Sequence, residues 1–201
     1  MMKKRLTVSV LATLLLASVG TILYSIEDNK ISIKEVHASA WVIPYNSLQE
    51  LEKDPKVNVI VEGTVTENTS PRKITGNQSP VNYNAMLTEI KIDKIIKSDG
   101  KIDNNKTVFI LEPTFLEDNG ILPGKTEYPM FDYLKATPGR KYIFYLAWND
   151  SQQAYWVHGA NQGKYNIDGK DQRELITESN IENYHNLKKS VLEKYGPDNG
   201  K

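Results

Sequence analysis

Three histidines, His37, His158 and His185, are the imidazoles of this chain, and it contains no cysteine. Nucleophilic catalysis needs a hydroxyl or thiol held beside a base. No Gly-x-Ser-x-Gly turn is present to expose a serine, and there is no thiol to ionise. His158 follows a strand pattern and precedes Gly159, which reads as a structural position. His185 stands between Tyr184 and Leu187 on a helical pattern, which reads as a surface position. His37 leaves the protein if the chain is cut after Ala40. No catalytic residue is assigned on this basis.

Metal and phosphate chemistry are also weakly prepared. Asp99, Asp103, Asn104 and Asn105 offer oxygen ligands, yet they lack the alternating acidic spacing and distant glutamate of a calcium loop, so they read as a polar turn. Gly159-x-x-x-Gly163-Lys164 lies between two strand patterns, where a phosphate cradle would precede a helix; a hairpin turn accounts for its glycines. Paired carboxylates for glycoside hydrolysis remain open, because no pair stands out among the many acids. No metal and no cofactor is expected.

Recognition by apolar contact has better material. The connection from Pro113 to Pro138 carries Phe115, Tyr128, Met130, Phe131 and Tyr133, and aromatic and methionine side chains are enriched at binding surfaces. A long loop on a rigid scaffold is a common place for function; the competing reading is that these side chains plug one end of a barrel. Trp148 and Trp156 flank the turn 149–154. They read as a cross-strand pair or, alternatively, as an aromatic platform for a sugar ring.

The elements that must position these residues follow from periodicity. Val57, Val59, Val61 and Val65 alternate with Asn58, Glu62 and Thr64 as one strand, with Gly63 marking a bulge or bend. Further strands are expected over 86–96, 107–111, 141–148, 154–157 and 164–167, and 107–111 is apolar on both faces. Residues 68–84 and 113–138 read as long loops. Ser47 with Glu50 opens a short helix that stops at Asp54-Pro55. Ser179 with Glu182 opens a C-terminal amphipathic helix over 179–195, whose stripe is Ile181, Tyr184, Leu187, Val191, Leu192 and Tyr195. The fold class is mainly β with flanking helices, a small OB-like antiparallel barrel over about 57–168 plus the C-terminal amphipathic helix; an α+β sandwich is the alternative.

The N-terminus sets the compartment. Lys3, Lys4 and Arg5 stand before Leu6–Ile26, a run of 21 residues without charge. A basic cluster followed by an apolar run is an export signal, with the positive charges left in the cytoplasm. Ala38-Ser39-Ala40 supplies a small-x-small cleavage pattern, with Ala38 and Ala40 as the cleavage candidates and a polar spacer before them. The alternative is an uncleaved anchor, since 21 residues are long enough to span a bilayer. The expected organisation is therefore 1–40 as export signal or anchor plus spacer, and 41–201 as one extracytoplasmic domain, secreted or at the cell surface. Membrane contact is expected only through an uncleaved N-terminal segment.

Composition excludes some partners. The chain of 201 residues has 25 basic and 25 acidic side chains. The first 40 residues hold five of the bases and three of the acids, leaving 20 and 22 beyond them, a formal charge of −2. That balance gives no attraction to nucleic acid. The absence of cysteine in an exported chain fits bacterial export, where packing alone holds the domain.

The blocks Val57-Asn58-Val59-Ile60-Val61-Glu62-Gly63-Thr64-Val65, Leu87–Lys97, Pro138-Gly139-Arg140-Lys141-Tyr142-Ile143-Phe144-Tyr145-Leu146 and Gly159-Ala160-Asn161-Gln162-Gly163-Lys164-Tyr165 resemble, in this order, uncharacterised exported proteins of Gram-positive bacteria. Those are similar in architecture to netrin-like, metalloproteinase-inhibitor-like barrels. The resemblance covers about Val57–Asp168 and implies the barrel, with no established activity. The animal inhibitors of that architecture act through an N-terminal cysteine, which this chain lacks, so that mechanism does not carry over. The functional expectation is an extracytoplasmic binding module for an envelope protein or a cell-wall glycan. An envelope hydrolase using paired carboxylates and a protease inhibitor acting through an exposed loop are the alternatives.

Overall fold

The computed structural model describes residues 21–34, 44–74, 83–102, 106–180 and 183–196, with backbone only at 178–180. His37, the cleavage candidates Ala38 and Ala40, and Asp103, Asn104 and Asn105 lie outside the described residues. The chain divides into two compact units. The larger comprises 35–115 and 128–201, the smaller 1–34 and 116–127.

The larger unit is built on a ring of strands. These are β2 (Val59–Ile74), β3 (Tyr83–Lys97), β4 (Thr107–Glu112), β7 (Lys141–Asn149), β8 (Ala154–Val157) and β9 (Lys164–Asn166). They pair in the order β2-β3-β4-β8-β7-β9, and β2 also pairs with β7, which closes the ring. All contacts are antiparallel except β4 with β8. Alternation places Val59, Val61 and Val65 inside with Ile90, Ile92, Val108, Ile110, Tyr142, Phe144, Leu146, Tyr155 and Val157. The fold is thus mainly β with a barrel-like ring and flanking helices, as the period-two patterns require.

Gly63 sits where the β2–β3 register shifts. A Cβ there would collide with Ile90 Cγ2 and stand 3.0 Å from the Lys91 carbonyl oxygen. The strand bends at this residue because only hydrogen fits between it and β3.

The outer face of β2, β7 and β9 is covered by helices. Ile60, Ile143, Tyr145, Tyr165 and Ile167 pack with Leu51 of α1 (Leu48–Lys53) and with Tyr184, Leu187 and Val191 of α3 (Tyr184–Tyr195). β7 is therefore buried on both faces over residues 142–146. In β4, expected to be apolar on both faces, Leu111 is buried on the outer face in the cluster of Tyr83 and Trp156, while Phe109 on the same face is exposed. At α1, the Ser47 hydroxyl accepts from the Glu50 backbone N–H at 3.2 Å, as its spacing predicts, while the Glu50 carboxylate reaches back to the Asn46 N–H at 2.9 Å.

Three boundaries differ from the sequence reading. Within the loop expected over 68–84, the described residues are strand: β2 runs on to Ile74 and β3 starts at Tyr83, pairing Thr69↔Thr88 through Ile74↔Tyr83, with 75–82 outside the described residues. Pro71 is tolerated because β7 pairs only with Val59–Thr64, leaving β2 an edge strand at Pro71. The connection over 113–138 contains β5 (Thr114–Asp118) and β6 (Lys125–Pro129). At the C-terminus, Ser179 lies inside a separate helix, α2 (Glu174–Asn180), and α3 begins after Asn183 in the left-handed region, φ 65°. Tyr184, Leu187 and Val191 of the expected stripe are buried on α3, and His185 is exposed.

In the smaller unit, residues 21–28 are helical and β1 (Ile31–Ile33) pairs in parallel with the first three residues of β6. Among the described residues no helix is long and apolar enough to cross a membrane.

Candidate functional site

β7 presents two different ends. At its Asn149 end the turn 149–154 delivers β8, and register puts Trp148 opposite Tyr155 and Ala147 opposite Trp156. Successive residues of a strand point to opposite faces, so the two tryptophans are separated by the sheet. They form neither a cross-strand pair nor a shared platform. Trp148 meets Tyr155 edge-on, with ring centroids 4.9 Å apart. Trp156 instead packs outside the ring against Tyr83 of the extended hairpin, at 6.2 Å, beside Ile74, Ala85 and Leu111.

Trp148 is half-buried: it packs against the interior cluster on one side and meets polar groups on the other. Its indole N–H donates to Asp150 Oδ1 at 2.7 Å, and its backbone N–H to Asn58 Oδ1 at 2.7 Å. Lys101 Nζ lies 4.4 Å from the centroid of its ring, a cation–π contact. The Tyr155 hydroxyl donates to both oxygens of Asp99, at 2.9 and 3.1 Å. Burial, and then the Asp99 carboxylate, push the Tyr155 phenol well above its ordinary value. An aromatic ring of fixed orientation with two carboxylates and an ammonium around it thus occupies this end.

The Lys141 end is closed. Tyr133 is fully buried in the interior cluster, and Phe131, half-buried with φ 56°, packs against the same cluster. Glu112, fully buried, accepts from the Thr88 hydroxyl at 2.6 Å, the Tyr133 hydroxyl at 2.8 Å and the Ala136 N–H at 2.7 Å, and pairs with Lys135 at 3.8 Å. Asp171 accepts from Thr137 and Tyr142 hydroxyls at 3.0 and 2.7 Å. The Lys164 ammonium donates to the Leu134 carbonyl and stands 4.5 Å from the Tyr133 ring centroid. Burial draws its pKa down, against the opposing pull of Glu112 and Asp171. The network bonds the loop 131–137 across the end of the ring and takes Tyr133 out of any exposed surface.

The remaining residues proposed from the aromatic connection are only part-covered. Phe115 and Tyr128 stand side by side on β5 and β6, centroids 6.5 Å apart, and Met130 N–H donates to the Pro113 carbonyl at 3.0 Å. All three are half-buried.

A third constellation had no signal in the spacing. Tyr45, Asp54 and His158 meet although 113 residues separate the first from the last. The Tyr45 hydroxyl donates to Asp54 Oδ2, and His158 Nε2–H donates to the Tyr45 oxygen at 2.6 Å, with Asp54 Oδ2 at 3.2 Å from the same nitrogen. Gln162 holds the Tyr45 backbone from both sides, accepting from its N–H at 2.8 Å and donating to its carbonyl at 3.1 Å. Burial, then Asp54, raise the Tyr45 phenol. Burial alone would raise the Asp54 carboxyl, but hydrogen bonds from Tyr45, the Lys56 N–H and His158 outweigh it and hold the carboxyl below its ordinary value. A retained phenol proton facing an ionised carboxylate is a fastening, one that ties α1 to the end of β8 beside the shallow cleft of Gln49, Glu50, Lys53, Asp54 and Pro55. Among the described residues, the carboxyls whose shifts are resolved, Asp54 and Asp168, both move down. A general acid for glycoside hydrolysis needs the opposite shift.

Among the described residues no group of three His, Asp or Glu side chains is placed to hold a metal ion. No family model matches the chain, and neither a curated protein nor a solved structure matches it.

Proposed function

We propose that this protein is an extracytoplasmic binding module that holds a cell-wall glycan at the Trp148 end of its ring. The observation carrying this reading is the half-buried Trp148 ring, fixed by Tyr155 and Asp150 and bordered by Asp99 and Lys101. A sugar ring offers an apolar face to an aromatic ring and hydroxyls to neighbouring carboxylates and amines; the exposed Lys101 side chain, whose ammonium lies over the Trp148 ring, would move off it to a sugar hydroxyl. The outward placement rests on the basic cluster and uncharged run at the N-terminus. The ring, its parallel β4–β8 contact and the flanking helices favour a barrel of the oligonucleotide-binding type, in line with the netrin-like resemblance.

The test is retention of the full chain on insoluble wall glycan from a Gram-positive host. Trp148→Ala is expected to lose retention, and Trp156→Ala to keep it. Equal retention by the wild type and the Trp148→Ala variant would sink the proposal.

A further inference from the structure

The smaller unit bears on the fate of the N-terminus. Residues 21–34 precede the Ala38-Ser39-Ala40 cleavage pattern, yet they are built into folded structure. β1 pairs Ile31↔Lys125, Ser32↔Thr126 and Ile33↔Glu127. Lys125 N–H donates to the Lys30 carbonyl at 2.9 Å, and Lys34 N–H to the Glu127 carbonyl at 2.9 Å. Gly124, at φ 96°, sends its N–H to Asp28 Oδ1 at 3.2 Å, and a Cβ there would press on the Lys30 carbonyl oxygen at 3.2 Å in a backbone conformation that favours glycine. Cutting after Ala40 would remove β1 and the turn before it, and would leave β6 without this partner.

The same unit exposes apolar side chains in one neighbourhood. Ile22, Leu23, Tyr24 and Ile26, the last residues of the uncharged run, are 60%, 58%, 46% and 55% exposed. At the tip between β5 and β6, Ile121 is 95% and Leu122 71% exposed. The two places are joined: the Tyr24 hydroxyl donates to the Ile121 carbonyl at 3.4 Å. Charge begins at Glu27 and Asp28, directly after the run. Tyrosine at the end of an apolar run marks the level where hydrocarbon meets headgroups. Small apolar tips held at that level gain by entering it.

We infer that the N-terminal segment is retained as a membrane anchor and that the β5–β6 tip, through Ile121 and Leu122, seats in the outer leaflet beside it. The occupant of the exposed apolar patch is the lipid bilayer into which the run itself leads. The smaller unit then acts as a foot that fixes the chain at the bilayer surface. It shares with the glycan reading only the outward placement of the chain.

The chain has no cysteine, so one can be introduced as the sole labelling site. The full-length Leu122→Cys variant, carrying an environment-sensitive fluorophore, is reconstituted in phosphatidylglycerol–phosphatidylethanolamine vesicles containing nitroxide-labelled lipid. The reference is Asn186→Cys, on an exposed position of α3. Quenching severalfold stronger at residue 122, with a blue-shifted emission, is expected. Quenching at 122 no greater than at 186 overturns the seating of the tip. Peptide mapping of the full chain recovered from a Gram-positive host is expected to find residues 21–34 still attached in the membrane fraction. A mature N-terminus at Trp41 overturns retention. Neither measurement involves glycan, so their failure is distinct from failure of the binding reading.

Discussion

Tyr142 and Trp148, near the two ends of β7, are six residues apart and chemically opposite. At Tyr142, hydroxyls, carboxylates and an ammonium are buried and bonded to one another, and Tyr133 is enclosed with them. At Trp148, comparable groups (Asp99, Lys101, Asp150, Tyr155) surround an aromatic ring that stays partly accessible. The buried network has its partners inside the protein and is a device for closing the ring. Around Trp148, Tyr155 is buried but Asp99, Lys101 and Asp150 are exposed to solvent, so exchanging water for ligand hydroxyls at these three costs little. Polar residues near an aromatic ring therefore signal binding only where the ring remains reachable.

The largest test of this contrast is Glu112→Ala. It strands the Thr88 and Tyr133 hydroxyls, the Ala136 N–H and the Lys135 charge, and about 3–5 kcal/mol of stability should be lost in urea unfolding. Tyr133→Ala empties a fully buried site and should cost about 3 kcal/mol or more. A cost under 1 kcal/mol for Tyr133 would mean that this end is not sealed. Trp148→Ala should lower stability by about 2 kcal/mol, less than Tyr133→Ala because the ring is only half-buried against the interior cluster and Tyr155, while abolishing glycan retention. The smallest effect is a pH dependence at the Asp54 fastening. Its carboxyl titrates below its ordinary value of 3.8 in the folded state, so it contributes stability above that pH and loses it as pH falls through the folded pKa. Asp54→Asn should therefore destabilise at neutral pH and differ progressively less from wild type on acidification; a constant difference would remove the carboxylate from the account.

The parts of this arrangement readable from sequence were those with a local period. Alternation located the core of β2, β3, β4, β7 and β8, and the steric demand at Gly63 showed as a glycine in a valine-rich strand. Spacing along α3 identified Tyr184, Leu187 and Val191. What stayed hidden depends on neighbours distant in sequence. Pro71 looked like a loop residue because nothing local reveals that its strand is an edge there. The separation of Trp148 from Trp156 follows from odd–even register, which a turn of uncertain length conceals. Tyr45 and Asp54 carry no pattern of their own; they become a constellation only when the ring brings His158 to them. Whether Tyr133 or Trp148 was the accessible ring depended on Glu112 and Lys164, charged residues whose burial composition alone does not announce.

The parallel contact of β1 with β6 also constrains the order of folding. Ser32 and Thr126 face each other across 94 residues of chain, and β2, β3 and β4 all lie in the interval between them. Closing so long a loop carries a large entropic cost unless intervening structure shortens it. The β2–β3–β4 meander needs only neighbouring segments and forms as soon as they are free. β1, first in sequence, has no strand partner among the described residues until the β5–β6 hairpin follows. The smaller unit thus assembles after the meander although it holds the earlier residues, and a chain truncated before Lys125 would have its meander but no β6 for β1 to join.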